Sequence, residues 1–395
     1  MNIKELLTRG VTEIINKEEI EKALKTKKKL RIKFGIDPTA PDIHLGHTVP
    51  LRKLKQFQDL GHEIILIIGD FTATIGDPSG RLELRKPLAR EQIKEFMKDY
   101  KKEISKIIDF KKAEIRYNSE WYDRLGAMFL YELTSKITVA RAIERDDFRK
   151  RLRQDQDVSL LEIIYPLLQG YDSVEVKADL EIGGTDQKFN LLMGRKIQKR
   201  YGLKEQNIMT LQLLEGTDGV RKMSKSYGNY IGIFENPQAM FGKIMSIPDS
   251  LIVKYFRLLT DVSDNEIDKI KEDLQNVNIT NINPRDFKIR LALEIITMYH
   301  GAKEAQKAKE EFEKVFTKRE VPKDIPIFKI KKGQVKLIDL LLNLKLVSSK
   351  SEAKRLIEQG AVDIDGVKIS DKEKEIVPKK NMVLKVGKRK WARIS

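Results

Sequence analysis

The sequence predicts an α/β fold built on a parallel sheet, followed by a helical region and a small α+β unit. Three observations predict it. An alternating segment, residues 30–36, precedes an amphipathic stretch from His44 to Leu60 and a second apolar run at residues 64–70. Strand, helix and strand in such quick succession form the βαβ unit from which parallel sheets are made. Strand-like runs stop after Ile233 and return only beyond residue 332, where they are short and mixed with one capped helix.

Composition narrows the functional classes before any motif is read. The chain has 395 residues, enough for two to four domains. Apolar residues make up 41% and charged residues 34%, with 76 Lys and Arg against 59 Asp and Glu, a formal charge of +17. That excess makes a polyanion a candidate partner, although Lys- and Glu-rich surfaces also accompany heat tolerance. The absence of cysteine excludes disulfides, thiolate metal sites and a cysteine nucleophile. With four histidines, His44, His47, His62 and His300, a multi-histidine metal centre is not expected. The first residues lack the apolar core of a signal peptide, and no apolar run is long enough to span a bilayer. A soluble cytoplasmic protein with no membrane association is expected.

Taken in order, residues 1–29 suggest one or two helices ending at Lys27-Lys28-Lys29. The first strand, 30–36, runs into the loop Asp37-Pro38-Thr39-Ala40-Pro41-Asp42-Ile43, and a helix follows, stopped by Gly61. The second strand comes next. Residues 90–108 suggest a helix and 114–117 a strand. Residues 119–170 suggest a helical insertion, 174–182 a strand, 187–201 a helix and 208–214 a last strand. The domain boundaries drawn from this pattern are 1–232, 233–325 and 332–395, with a Pro/Lys-rich linker before the last. In the last unit, Ser349-Lys350-Ser351-Glu352 is a capping box for a helix ending at Gly360. Asp365-Gly366 between alternating runs signals a type I′ hairpin. Residues 332–395 carry 16 basic against 8 acidic side chains, a net +8. Charge alone leaves open a solvated basic face or a polyanion-binding one.

Two segments carry chemistry. His44-Leu45-Gly46-His47 lies between the first strand and the following helix, at the carboxyl end of a parallel strand, where ligands bind. The free N–H groups and positive dipole end of that helix suit phosphate. The two histidines share one helix face, and on their own they are equally consistent with an incidental helix start. Lys222-Met223-Ser224-Lys225-Ser226, flanked by Gly219 and Gly228, is a loop whose lysines and hydroxyls can close on a polyphosphate. Alone it reads more readily as a solvated basic loop.

Together, 175 residues apart, HLGH and KMSKS resemble the paired signatures of class I aminoacyl-tRNA synthetases. The resemblance spans essentially the whole chain. Tyr165, Gln169 and Asp172, at i, i+4 and i+7 of one helix face, are similar to the tyrosine-binding helix of the tyrosyl-tRNA synthetase family. Gly76-Asp77-Pro78-Ser79-Gly80 resembles the family's ammonium-binding loop, and Gly183-Gly184-Thr185-Asp186-Gln187 its GGxDQ segment. The tryptophanyl branch of the class fits the helix and the GGTDQ segment less well.

The resemblance implies a Rossmann-like nucleotide-binding domain with a helical insertion, a helical anticodon-side domain and an αL-type RNA-binding unit. It implies ATP-dependent activation of L-tyrosine and transfer to tRNA(Tyr). Its catalytic residues would be His44, His47, Lys222 and Lys225. Asp37, Thr39, Gly46, Asp186, Met223, Ser224 and Ser226 would bind ATP, and Asp77, Tyr165, Gln169, Asp172 and Gln187 would bind tyrosine. Mg²⁺ would enter with ATP, no resident metal is expected, and a homodimer would form through the insertion. One position departs from many bacterial members: Lys33 stands where they have a tyrosine that bonds the phenol, and a second bacterial branch shares this lysine. An RNA-binding protein that has lost catalysis is the competing class, against which intact HLGH and KMSKS argue.

Overall fold

The computed structural model describes residues 3–40, 42–79, 88–276, 283–317, 325–328, 333–379, 381–387 and 390–395. Gly80, Pro41 and much of the 321–333 linker lie outside them. The chain divides into two compact units, Met1–Phe312 and Glu313–Ser395.

The first unit holds a six-stranded sheet. Its strands are β1 (Val11–Ile15), β2 (Arg31–Ile36), β3 (Glu63–Ile68), β4 (Ala113–Tyr117), β5 (Leu180–Gly184) and β6 (Asn207–Leu211). Their order is β1-β6-β5-β2-β3-β4, and all pairs are parallel except β1 with β6. The order reverses between β2 and β5, the switch point at which open α/β sheets bind ligands. β3 reads Glu-Ile-Ile-Leu-Ile-Ile and is buried from its second residue onward, as a strand covered on both faces requires.

Residues 1–29 contain more than helices. α1 (Ile3–Thr8) and α2 (Lys17–Lys25) flank β1. Val11, Ile14 and Ile15 fit a helical spacing as well as a strand, and pairing with β6, which the local sequence does not encode, decides for the strand. α3 (Leu45–Asp59) begins after His44 and ends before Gly61, whose φ of 86° reverses the chain.

A second correction concerns residues 174–182. The helix α10 (Leu160–Glu175) continues through Glu175, and the strand starts only at Leu180. α10 packs on α11 (Lys188–Arg200), and a Cβ added at Gly170 would lie 3.4 Å from the Gly194 backbone. This close approach lets the helix run past the point where the alternation of Val174, Val176 and Ala178 suggests a strand. α4 (Thr72–Ile75) and α5 (Arg90–Ile104) lie between β3 and β4, and the insertion before α10 comprises α6 (Ser119–Tyr122), α7 (Ala127–Ser135), α8 (Val139–Ala142) and α9 (Asp146–Arg153). Ser159 caps α10 at 3.2 Å, and Glu162 returns to the Ser159 N–H at 3.0 Å. Glu162 also takes a two-pronged pair from buried Arg151, which fastens the insertion to α10.

Beyond β6, the helices Pro237–Met245, Ile252–Leu259, Asp264–Gln275, Pro284–His300 and Ala302–Thr317 follow. Phe241, Tyr255, Phe256 and Ile295 share one core with Leu51, Leu54 and Phe57 of α3. Arg9 fastens the chain's start to the second of these helices, donating to the carbonyl oxygens of Arg257, Thr260 and Val262 at 2.7–2.8 Å.

The second unit has its own core, centred on Leu340, Leu341, Ile357, Leu384 and Ala392. Helices Leu337–Asn343 and Lys350–Glu358 accompany a five-stranded sheet and a two-stranded one. Ser349 accepts the Glu352 N–H at 3.1 Å, while the Glu352 carboxylate turns to Ser348 instead of Ser349. The hairpin Val362–Ile364 and Val367–Ile369 pairs Ile364 with Val367 around Asp365 (φ 49°) and Gly366 (φ 87°), the type I′ geometry.

Candidate active site

At the switch point a cavity of about 940 Å³ opens over the carboxyl ends of β2 and β5. Every site residue named from the sequence lines it: Asp37, Thr39, His44, Gly46, His47, Asp77, Tyr165, Gln169, Asp172, Asp186, Gln187 and the whole Lys222–Ser226 loop. The elements explain the convergence. β2 ends into the Asp37 loop, β5 into Asp186 and Gln187, and α10 turns the face bearing Tyr165, Gln169 and Asp172 inward.

At the deepest end lies Asp172, 4% exposed. One carboxylate oxygen accepts from Trp121 Nε1 and from the Tyr122 hydroxyl, each at 3.0 Å, and the other from Asn118 Nδ2 at 3.4 Å. Burial pushes its pKa up to about 7, against the opposing pull of Lys33 and these donors. Asn118, Trp121 and Tyr122 were missed in the sequence. The available signal was Trp121, one of two tryptophans, at the start of a polar helical insertion.

Lys33, the position that departs from many bacterial sequences, is held by protein partners of its own. Its ammonium is fully buried and donates to the Gln169 main-chain oxygen and to Ser173 Oγ, each at 2.7 Å, and pairs with Glu181 at 2.9 Å. Glu181 is the partner that pattern reading did not supply.

Midway along the cavity, Asp77 accepts from Gln187 Nε2 at 2.6 Å and from the Ser79 N–H at 2.9 Å. Asn190, fully buried behind them, reaches Gln169 Oε1 and Gln187 Oε1 at 3.0 Å. The Tyr165 hydroxyl donates to Asp37 at 2.9 Å, and the Thr72 hydroxyl donates to the other Asp37 oxygen at 2.8 Å. Gly69 must be glycine here, because a Cβ would sit 2.1 Å from that oxygen.

At the outer end the rings of His44 and His47 stack at 3.8 Å. The His44 N–H donates to His47 Nδ1 at 3.3 Å, which leaves the His47 proton on Nε2. Burial, and then the nearby lysines, hold His47 down at about 4. Burial first, and His47 next, hold His44 well below the usual imidazole range. Both rings are therefore neutral donors near pH 7, not cations. Lys222 pairs with Asp186 and Lys225 with Asp42, each at 2.7 Å, and buried Met223 packs beneath the loop. The Ser224 N–H is held by Asn229 at 2.8 Å. His62 lies elsewhere, accepting the Leu30 N–H. Among the described residues, no group of three or more histidines and carboxylates is arranged to hold a metal ion.

Two families of sequence match this chain. Residues 25–317 match the class I tRNA synthetases of the tryptophan and tyrosine type. Residues 317–394 match the C-terminal domain of tyrosine–tRNA ligases. The chain belongs to the tyrosine–tRNA ligase family. The ligase of Thermotoga maritima is 51% identical over 99% of this chain and 96% of its own length. That of Aquifex aeolicus is 50% identical over 98% and 97%. Among solved structures, the Archaeoglobus fulgidus tyrosyl-tRNA synthetase, crystallised with L-tyrosine, superimposes with a TM-score of 0.61 at 25% identity, over 78% of this chain and all of its own. A truncated mitochondrial tyrosyl-tRNA synthetase of Aspergillus nidulans shares the fold, with a TM-score of 0.65 at 22% identity, over 80% and 94%.

Proposed function

We propose that this cavity activates L-tyrosine with ATP and then passes the tyrosyl group to tRNA(Tyr). The observation that carries the reading is Asp172: a buried carboxylate, already held by three donors, at the closed end of a cavity whose outer end carries histidines and lysines. A phenol fits that end, and a triphosphate fits the other. Phenylalanine would bring the carboxylate no hydroxyl to add to these donors.

In the first step a carboxylate oxygen of tyrosine attacks the α-phosphorus. The bond from that phosphorus to the bridging oxygen breaks, and pyrophosphate leaves with the electron pair. In the second, the terminal ribose hydroxyl of tRNA attacks the adenylate carbonyl, loses its proton and displaces AMP. No protein side chain forms a covalent bond; positioning and charge stabilisation do the chemistry. Asp77, Tyr165, Gln169 and Gln187 hold tyrosine. Asp37, Thr39, Gly46, Asp186, Met223, Ser224 and Ser226 hold the nucleotide. His44 and His47 donate neutral N–H groups to the phosphates, and Lys222 and Lys225 leave their carboxylates to meet the departing pyrophosphate. Mg²⁺ enters as the ATP complex.

The helices after residue 233 would serve the anticodon side and the basic last unit would grip RNA phosphates. The insertion would join two copies: Met128, Tyr131, Val139 and Leu160 each expose more than 70% of their surface there, which supports a homodimer. The cytoplasm, where charged tRNA is consumed, is the setting. Pyrophosphate exchange measured with each amino acid in turn tests the reading. Exchange with tyrosine alone is expected, and none with tyrosine would sink it.

A further inference from the structure

The buried Lys33–Glu181 pair lies under α10 and is absent from the roles assigned so far. Lys33 is 0% exposed and Glu181 1%. All three ammonium hydrogens of Lys33 are committed: to Glu181, to Ser173 and to the Gln169 carbonyl. Glu181 gathers donors in turn. Its first oxygen takes Lys33 and Gln169 Nε2 (3.3 Å), and its second takes Gln206 Nε2 (2.5 Å) and the Ser173 hydroxyl (3.2 Å).

An ionised carboxylate has no hydrogen to give. The end of the Gln169 carboxamide that faces Glu181 is therefore the amino end, and the carboxamide oxygen faces the other way. There it meets Asn190 Nδ2 at 3.0 Å. The same nitrogen lies 3.0 Å from Gln187 Oε1, 3.2 Å from Ser79 Oγ and 3.4 Å from Asp77 Oδ1. Asn190 brings two hydrogens to four oxygens, so this corner of the cavity is rich in acceptors. Lys33 supplies the counter-charge at 2.9 Å that a buried carboxylate needs, and the pair presents Glu181 to the glutamine as an acceptor.

We propose that the Lys33–Glu181 pair is a positioning device for the substrate's ammonium: it fixes the Gln169 carboxamide with its oxygen, not its amino group, toward the corner of the cavity lined by Asp77, Ser79 and Gln187. A glutamine turned the other way would aim N–H dipoles at a cation. This rests on the reading that the ammonium of tyrosine lies at Asp77 and Gln169. Lys33, buried beneath the helix, and Glu181, at the cavity wall, act through their bonds to Gln169.

The test replaces the acceptor-only partner by one that can donate as well. Glu181→Gln frees Gln169 to turn, and Lys33→Met/Glu181→Gln removes both charges so that no unpaired ion is left to unfold the protein. Tyrosine binding is compared with that of 3-(4-hydroxyphenyl)propionate, which has the phenol and carboxylate but no amino group, and ATP KM is measured alongside. Tyrosine should weaken roughly tenfold or more in the folded variants, while the deamino acid changes by less than about twofold. Equal weakening of both ligands would mean a merely structural pair, and unchanged tyrosine binding would mean that Gln169 is oriented by something else. Either result overturns the proposal. Asp77→Asn separates the two levels. If it also leaves the preference for the amino group intact, the ammonium site itself is misplaced. If it abolishes that preference while the Glu181 variants keep it, only the positioning role fails.

Discussion

Lys225 Nζ lies 2.7 Å from Asp42 Oδ2, so the lysine loop is tied to the segment that opens α3. Lys222 is tied in the same way to Asp186. Both lysines therefore start from a carboxylate, and meeting a departing pyrophosphate means exchanging one anion for another. The exchange costs less than drawing a free lysine out of water, because the side chain is already ordered beside the cavity.

Lys225→Ala should slow tyrosyl-adenylate formation by roughly 100- to 1,000-fold, about 3–4 kcal/mol, the usual effect of losing one preorganised charge stabiliser. Tyrosine affinity should stay close to that of the parent protein, since Lys225 sits at the outer end. Single-turnover rates with and without saturating ATP decide it. An unchanged rate would make the loop a bystander.

Asp172→Asn should reduce discrimination between tyrosine and phenylalanine. A hydrogen bond to a charged group is worth about 1.5–3 kcal/mol, so tyrosine should lose roughly 10- to 150-fold while phenylalanine changes little. Exchange rates for the two amino acids, taken as a ratio, give the answer, and equal losses would make Asp172 structural.

The same carboxyl predicts a pH dependence. With a pKa raised to about 7 in the open cavity, it is mostly protonated at pH 6 and mostly ionised at pH 8. Only the ionised form accepts the phenol hydrogen without rearrangement, so tyrosine binding should tighten roughly tenfold between those values. Stability runs the opposite way. The folded state keeps this proton up to about 7 and the unfolded chain releases it near 3.8, so the contribution to stability falls as pH climbs through that interval. Calorimetric titration of tyrosine across pH 6–8, repeated on Asp172→Asn, should show the dependence only in the parent chain.

His47 gives the reverse slope. Its folded pKa, lowered to about 4 from 6.5, means that the unfolded chain binds the extra proton between those values. Its contribution is fully present above pH 6.5 and is lost as the pH falls toward 4. His47→Asn should flatten the acid side of the melting-temperature profile, and the adenylation rate of the parent should show no imidazole titration between pH 6 and 8. A break in the rate near 6.5 that disappears in His47→Asn would show that the ring is charged in the working enzyme.

What the sequence made legible follows from what is local. HLGH, the α10 triplet and KMSKS each place their side chains through one element's own geometry, and the switch-point topology brings them to one cavity. β1 was not legible, because five residues with apolar spacing common to helix and strand take their state from β6. The end of α10 was not legible either, since glycine contact with α11 overrides an alternating run. Glu181, Asn190 and Trp121 escaped for a related reason. Each acts from behind a recognised residue, and the pairings Lys33–Glu181, Asn190–Gln169 and Trp121–Asp172 exist only after folding.

The basic last unit yields the final prediction. Residues 332–395 carry a net +8, and the compact unit they belong to, Glu313–Ser395, has its own buried core and, among the described residues, contributes none that line the cavity. Removing residues 318–395 should leave the first unit folded, because the helix Ala302–Thr317 and the core it joins are retained. Pyrophosphate exchange with tyrosine should persist at close to the parent rate, since its chemistry lies in the first unit. Charging of tRNA should fall, because phosphate contacts are lost. Each phosphate neutralised by a lysine or arginine contributes about −0.7 to −0.9 to the slope of log affinity against log salt. The truncated chain should therefore bind tRNA more weakly at low salt and with a shallower slope, and the two affinities should converge as salt rises. Filter binding at several salt concentrations, with exchange and charging measured on the same preparations, separates the outcomes. Lost exchange would mean that the last unit supports the catalytic unit's fold, and unchanged charging with an unchanged slope would mean that its positive charge is only a solvated surface.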